Sequence, residues 1–306
     1  MSKTNSVAGY TQKLSRAQCE NLNLEFWYLI EFTDIFIKLL KYKGIPDYIP
    51  MDIVERNLFN EGRVLAFEKE LDGITILPTC AFSKFNDYGV PVEYQAISFN
   101  GNSYKRSIND SVLIKNSPLL SPCLPTVYEY CKDLANIRQA IKTNVNSTKT
   151  PFIFKGDKQQ LLTMQNSYKK ISDNEPVIYG ETSSMPNFEA VNTQAPYVAD
   201  KLDNLFMSTL SKVLTYLGIN SNAIEKKERL TNDEVNSNND FITAHLRTRL
   251  DCRKEALDKI NKMFGTNWSV EINEDYIKNE LFDDIKNIMN NDNNEEGDDN
   301  ATRDIW

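Results

Sequence analysis

Side chains that could support catalysis are few in this 306-residue sequence. His245 is the only histidine, so a serine or cysteine nucleophile could be paired with no other imidazole. With its neighbours Arg247 and Arg249, it is interpreted as part of the polar face of a helix. There is no G-x-x-x-x-G-K-[ST] phosphate loop and no G-x-G-x-x-G sequence. The cysteines are Cys19, Cys80, Cys123, Cys131 and Cys252. No two of them form a C-x-x-C pair, which indicates free thiols and disfavours a zinc site. We therefore predict no catalytic residue, no metal site, no cofactor and no enzyme activity.

A polar stripe on one predicted helix is the pattern that most suggests a function. Residues 196–219 have helical periodicity. The predicted buried face consists of Val198, Leu202, Leu205, Leu210, Val213, Leu214 and Leu217. The opposite face carries Lys201, Asn204, Ser208, Ser211, Lys212 and Thr215. Short polar side chains with a lysine near each end could contact a polyanion weakly without holding it. An ordinary solvent-exposed helix face is the alternative.

A charged segment, 220–240, follows this helix. Gly218 fits the left-handed position that ends many helices. Lys226, Lys227 and Arg229 then alternate with glutamates, and several asparagines after them favour a flexible loop. Because the charges have mixed sign, we expect only transient contact with phosphates. A charged loop on any protein surface is the alternative.

The overall charge also limits the functions that can be considered. Lys and Arg number 35 against 43 Asp and Glu, giving a net charge of -8. This balance argues against a protein that binds nucleic acid tightly, but it permits a channel through which nucleic acid slides.

The apolar run from Leu22 to Leu40 contains Glu25, Glu31 and Asp34. Charges at that density are too costly at the centre of a bilayer, so we expect no membrane partner.

The elements that must position these residues are mainly helical. Long helices are predicted over 17–43, 122–149 and 196–219, and a further helical region covers 241–289, with one helix over 241–264 and another over 275–289. Strands with two hairpin signals, Asp72-Gly73 and Asn100-Gly101, fill much of 44–121. We predict a mainly α fold with a small antiparallel β subdomain, an α+β fold. The remaining predicted regions are a flexible tail (1–16), a strand-helix-strand unit (150–195), the loop (220–240) and a disordered acidic tail (290–306). Within the strand-helix-strand unit, the strands are predicted over 151–154 and 176–179 and the helix over 157–171.

The first predicted helix is apolar around most of its circumference, which predicts burial on several sides. One interpretation places its own subunit on one side and an adjacent subunit on the other. The other interpretation makes it the central core helix of a monomer. The sequence leaves both open.

An ordered series of segments resembles the upper collar protein of small short-tailed bacteriophages, also called the portal or head–tail connector. Besides the aromatic-rich first helix, the matching segments are TPFI (150–153), EPVI (175–178), APYVADKL (195–202), EKKER (225–229), RKEA (253–256) and KIN (259–261). The series spans most of the chain, whereas the β region is less recognisable.

This resemblance implies a cone-shaped ring of twelve subunits at one capsid vertex, through which double-stranded DNA is packaged and ejected. Helices starting near Ala17, Pro125 and Pro196 would form the channel wall. The β subdomain would form the narrow end, and 150–195 with 241–289 the wide end. The DNA-channel residues would be Lys201, Lys212, Lys226, Lys227 and Arg229. The wall residues would be Asn204, Ser208, Ser211 and Thr215.

The implied partners are copies of the same chain, double-stranded DNA, the major capsid protein with its scaffold, the lower collar or tail protein, and a separate packaging ATPase. The protein would be made in the host cytoplasm and reside in the virion at the head–tail junction. Some family members dock a packaging RNA through a strongly basic N-terminus. Here Lys3, Lys13 and Arg16 are sparse, so RNA docking stays open. The alternatives are another collar or tail adaptor protein and, more remotely, a nucleic-acid enzyme.

Overall fold

A computed structural model describes residues 16–69, 73–148, 152–155, 187–190, 196–220 and 243–290. The helices are α1 Arg16–Lys38, α2 Met51–Glu61, α3 Leu124–Thr148, α4 Ala199–Leu217, α5 Ala244–Phe264, α6 Glu274–Asn279 and α7 Leu281–Met289. The strands are β1 Leu40–Lys43, β2 Arg63–Lys69, β3 Gly73–Phe85, β4 Pro91–Ile97, β5 Ser103–Ser107, β6 Ser111–Lys115, β7 Phe152–Lys155, β8 Asn187–Ala190 and β9 Ser269–Ile272. The chain divides into two compact units, Met1–Ala135 with Ser208–Trp306, and Asn136–Met207. The architecture combines helices with small antiparallel sheets, as the sequence predicts.

The first unit contains a five-stranded antiparallel sheet in the order β5-β4-β3-β2-β6. Both predicted hairpins are present, β2 with β3 and β4 with β5. Strand β2 lies between β3 and β6, and four of its consecutive residues, 64–67, are fully buried, so both faces of this strand are covered. Leu65 and Phe67 share one face with Tyr94 and Ala96, which together form a compact apolar cluster. Burial on both faces explains why β2 reads as a continuous apolar run.

The first helix is shorter than predicted. It ends at Lys38, and residues 40–43, predicted as helix, form β1, which pairs antiparallel with β9. Asn273 fixes this junction, because its backbone N–H donates to the Leu39 carbonyl and its side-chain amide donates to the Lys38 carbonyl, both at 2.9 Å. A strand partner this remote in sequence leaves no trace in the local pattern, which explains the error.

Helix α1 buries one side of its surface. Tyr28, Phe32 and Ile35 are fully buried within the first unit, where α1 packs on α2 and α7. Phe26 and Ile30 are instead 55% and 65% exposed. This exposure disfavours the interpretation of α1 as the central core helix of a monomer, and burial of its other side by an adjacent subunit stays a prediction.

A buried ion pair joins α5 to α2 and to the end of β6. The Arg253 guanidinium donates to both carboxylate oxygens of Glu55, at 3.0 and 2.9 Å, and to the Lys115 carbonyl at 2.6 Å. Burial opposes the charge on Arg253, but the Glu55 carboxylate outweighs that effect and raises the pKa of Arg253. The Tyr42 hydroxyl also donates to Glu55, and its pKa is raised by burial and by the Glu55 charge. Because every member of this network is hydrogen-bonded, the buried charges are stabilised in place.

The C-terminal region is also more divided than predicted. Helix α5 begins at Ala244, and the single helix expected over 275–289 is two helices, α6 and α7, separated by Glu280. The Asn273 side chain accepts from the Tyr276 N–H and so caps α6. The Tyr276 hydroxyl donates to Asp284 at 2.8 Å, which holds α7 against α6.

The second unit contains the antiparallel pair β7 and β8, with Phe152 opposite Ala190. Strand β8 was not predicted. The predicted helix over 157–171 and the predicted strand over 176–179 lie outside the described residues. Asn144 accepts from the Val198 N–H and donates to the Pro196 carbonyl, both at 3.0 Å. Within this unit the two side-chain hydrogen bonds tie α3 to the residues that precede α4.

The prediction that 150–195 and 241–289 lie at the same end of the subunit stays a prediction. Residues 244–290 belong to the same compact unit as the five-stranded sheet, whereas β7 and β8 belong to the other unit. The Arg253 network accounts for the place of α5 in the first unit, because it bonds α5 to α2 and β6.

The predicted tails, 1–16 and 290–306, lie almost wholly outside the described residues. Among the described helices, none combines the length and the apolar character that spanning a bilayer requires.

Candidate functional site

Helix α4 exposes the polar stripe that the sequence predicts. Lys201, Asn204, Ser208, Lys212 and Thr215 are exposed, and Ser211 is half-buried. The Thr215 hydroxyl donates to the Ser211 carbonyl one turn earlier, at 2.8 Å. A serine or threonine hydroxyl that donates to a carbonyl of its own helix has no unpaired donor. The surface that such residues form is smooth and weakly polar.

Two details of α4 differ from the prediction. Leu205 is 48% exposed rather than buried, and the adjacent Phe206 is buried in its place, with the Arg138 guanidinium 4.2 Å from its ring centre. Asp200 and Asp203 are also exposed, so the first turns of α4 carry two carboxylates and one ammonium group, that of Lys201. The first turn of α4 is therefore not positively charged, and its contact with a polyanion would be weak.

The end of α4 has a complete Schellman motif. The Ile219 N–H donates to the Leu214 carbonyl at 2.9 Å, and the Gly218 N–H donates to the Thr215 carbonyl at 3.1 Å. Gly218 has φ +104°, and a Cβ there would lie 2.5 Å from the Cβ of Leu246. Both the backbone conformation and the contact with α5 therefore require glycine. The predicted role of Gly218 is confirmed.

Arg249 holds this helix end from the side. Its guanidinium donates to the Leu217 carbonyl at 2.7 Å and to the Tyr216 carbonyl at 2.8 Å. These are among the last carbonyls of α4, which have no partner within the helix. Burial lowers the pKa of Arg249, so the positive charge is present at an energetic cost. A buried cation at a helix carboxyl end interacts favourably with the helix dipole.

Sequence reasoning missed Arg249, which it assigned to the polar face of its helix together with Arg247. Arg247 is exposed, but Arg249 is buried, as is Arg253. A signal was available, because both buried arginines fall on the apolar stripe of α5 at helical spacing, between Leu246 and Ile260. A cation on an apolar stripe indicates a buried partner rather than solvent.

The charged segment after α4 is anchored at both ends. The Thr243 N–H donates to the Gly218 carbonyl at 2.9 Å, and the Thr243 hydroxyl donates to the Thr215 carbonyl. The chain therefore leaves α4 and returns to it at one point. Lys226, Lys227 and Arg229 belong to residues 221–242, which lie outside the described residues. For these three residues, the structure shows only that both ends of their segment meet at the end of α4.

The cysteines give little support for nucleophilic catalysis. Cys19, Cys123, Cys131 and Cys252 are free thiols. Burial raises the pKa of Cys131 to about 12, so this thiol stays protonated and unreactive at neutral pH. Within the described part of the chain, no three His, Cys, Asp or Glu side chains are grouped so that they could hold a metal ion.

Comparison with known proteins gives a family match and structural matches that each span most of the chain. Residues 10–277 match the family described as Phage Connector (GP10). Among solved structures, the chain is similar to one from the portal and tail of native bacteriophage P68, with 15% identity, a TM-score of 0.46, and coverage of 90% of this chain and 95% of that chain. A portal protein of an HK97 family phage from Corynebacterium diphtheriae has 9% identity, a TM-score of 0.41, and coverage of 87% and 97%. A chain from the neck of an empty GTA particle has 8% identity, a TM-score of 0.44, and coverage of 82% and 81%. The family match covers far more than half of the sequence, and on that basis the chain belongs to the phage connector family.

Proposed function

We propose that this protein is one subunit of a twelve-membered, cone-shaped ring at one vertex of a phage capsid. Double-stranded DNA passes through the ring during packaging and ejection, and the ring joins the head to the tail. The three long helices, α1, α3 and α4, form the channel wall. The other partners are the major capsid protein with its scaffold, the lower collar or tail protein, and a packaging ATPase.

The exposed polar face of α4 carries this proposal. Asn204, Ser208, Ser211 and Thr215 present amides and hydroxyls, and Lys201 and Lys212 add one cation near each end. Repeated around a ring, such a face makes a smooth lumen with a few fixed positive points. Weak and repeated phosphate contacts suit a duplex that must slide, because each tight contact would have to be broken at every step.

The segment anchored at Gly218 and Thr243 adds a second function. It begins where the polar face of α4 ends, so in the ring its cations Lys226, Lys227 and Arg229 reach the lumen. There they contact phosphates and help to retain packaged DNA. Its glutamates limit this attraction, so the segment retards the duplex without immobilising it.

The ring itself is tested by the mass and the image of the purified protein. Twelve copies of the 35.2 kDa chain should give a particle of about 420 kDa in mass photometry. Negative-stain images should show a central opening wide enough for double-stranded DNA. A protein that stays monomeric at micromolar concentration would contradict the proposal. Rings in which α4 lies away from the opening would contradict the role of its polar face.

A further inference from the structure

An outer stripe on α1 exposes apolar side chains beside carboxylates. We call Phe26, Ile30, Glu31 and Asp34 the α1 stripe; Phe26 and Ile30 lie one turn apart and are more than half exposed. Single exposed apolar residues need no explanation, but two adjacent ones on a helix whose other side is buried form a patch. In the proposed ring, such a patch is available to a neighbouring subunit.

The charged part of the α1 stripe favours a positively charged partner. Asp34 and Asp284 share Lys38 as a common ion-pair partner, so two carboxylates are matched by one ammonium group. Glu31 lies beside them, and its pKa is raised by partial burial and then by the charges of Asp34 and Asp284. An additional cation placed here would relieve the repulsion among the three carboxylates.

A groove elsewhere on the same unit has the complementary character. We call it the basic groove; its volume is about 600 Å³ and its lining includes Val90, Ile108, Met263, Lys115, Lys259 and Lys262. The three apolar side chains are partly exposed, at 44%, 49% and 38%. The groove lies between the end of α5 and the edge of the sheet, and neither α1 nor α2 contributes to its lining. The α1 stripe and the basic groove are therefore separate surfaces of one compact unit.

We propose that the α1 stripe of one copy docks into the basic groove of the next copy. Phe26 and Ile30 fill the apolar floor, and Lys259 and Lys262 approach Glu31 and Asp34. Two different patches that fit each other, rather than one patch that fits itself, make a head-to-tail contact, and such contacts generate rings when the rotation closes. This inference rests on the proposed ring and identifies the surfaces that form it.

Cross-linking tests the docking directly. Ile30→Cys and Met263→Cys are combined in a Cys19→Ser background, which removes an exposed thiol. Under mild oxidation, the double variant should give a denaturing-gel ladder of successively larger oligomers, and each single variant should give none. A dimer from Ile30→Cys alone would show a two-fold contact and overturn the proposal. A double variant that stays monomeric on the gel while its rings persist would also overturn it.

A charge exchange gives an independent test. Lys259→Glu with Lys262→Glu should reduce the fraction of protein in rings at least tenfold in mass photometry. Adding Glu31→Lys and Asp34→Lys to the same chain should restore rings, and a folding defect could not be repaired in this way. If the variant with Lys259→Glu and Lys262→Glu assembles like the wild type, the docking proposal fails and the ring proposal stands. If the wild type itself forms no ring, the proposed function fails.

Discussion

Arg249 controls the position of the residues on which the proposed function depends, although it touches none of them. Its guanidinium binds the last carbonyls of α4, so the end of the polar helix face and the start of the segment with Lys226 and Lys227 are held to α5. The aromatic rings of Phe36 and Tyr216 lie 5.2 and 5.7 Å from the guanidinium and cover it. An arginine in such a setting is a structural residue with a functional consequence.

Replacing Arg249 by methionine should lower the free energy of unfolding by about 2 to 3 kcal/mol, because one buried and one partly buried carbonyl lose charge-assisted hydrogen bonds. Methionine keeps most of the apolar volume, so the loss reports on the guanidinium. Urea denaturation followed by circular dichroism measures the effect. Arg247→Met, on the same helix but exposed, is the matched control and should change stability by less than about 0.5 kcal/mol. Equal effects of the two substitutions would show that the contacts of Arg249 contribute nothing.

At the level of elements, the junction of α4 with α5 is built for close approach. The Schellman motif turns the chain sharply, and Gly218 brings the backbone against Leu246. Thr243 then closes the segment by donating back to Gly218 and Thr215. A short, fully hydrogen-bonded junction of this kind fixes where the following segment starts and ends.

Gly218→Ala should therefore destabilise the protein by more than the roughly 1 kcal/mol expected for the positive φ angle alone. The additional loss comes from the Cβ, which would lie 2.5 Å from the Leu246 side chain. Gly265→Ala is a close control, because Gly265 follows α5 with φ +68° but has no atom within 4 Å of its Cβ position. Thermal denaturation of both variants measures the difference. If both variants melt at the same temperature, the close packing of Gly218 is unimportant.

At the scale of the whole assembly, the proposed ring would retain DNA through many weak contacts repeated from subunit to subunit. Twelve copies would bring 24 loop lysines from positions 226 and 227 to the lumen, so small attractions at each would add. Because contacts between lysine and phosphate weaken as salt rises, retention should also weaken with salt.

Lys226→Ala with Lys227→Ala should leave ring assembly unchanged but let packaged DNA leak from filled heads. The measurement is the fraction of heads that protect a full genome from nuclease after purification, at low and at moderate salt. The matched control replaces two exposed lysines outside the proposed channel, Lys105 and Lys254. If heads of the Lys226/Lys227 variant retain their genomes as well as the control heads do, the segment does not help to retain packaged DNA.

Local patterns in the sequence were sufficient for much of the fold. Asn100-Gly101 predicted its hairpin, the apolar period of 196–219 predicted α4, and Gly218 predicted how that helix ends. These signals are local, because turns, helix caps and amphipathic periods are set by residues a few positions apart. The exposed polar stripe of α4 follows from the same period. The functional roles of Lys201, Lys212, Asn204, Ser208, Ser211 and Thr215 remain predictions.

Tertiary structure alone decided the features that depend on distant residues. Leu40–Lys43 is a strand because Ser269–Ile272 pairs with it. Phe206 is buried where Leu205 was predicted to be, and Leu205 is exposed. Arg249 and Arg253 are buried because carbonyls and Glu55 from other elements satisfy their charges. The physical reason is the same in each case: the free energy of these contacts depends on partners that folding brings together, and the neighbouring sequence does not specify which residues those partners are.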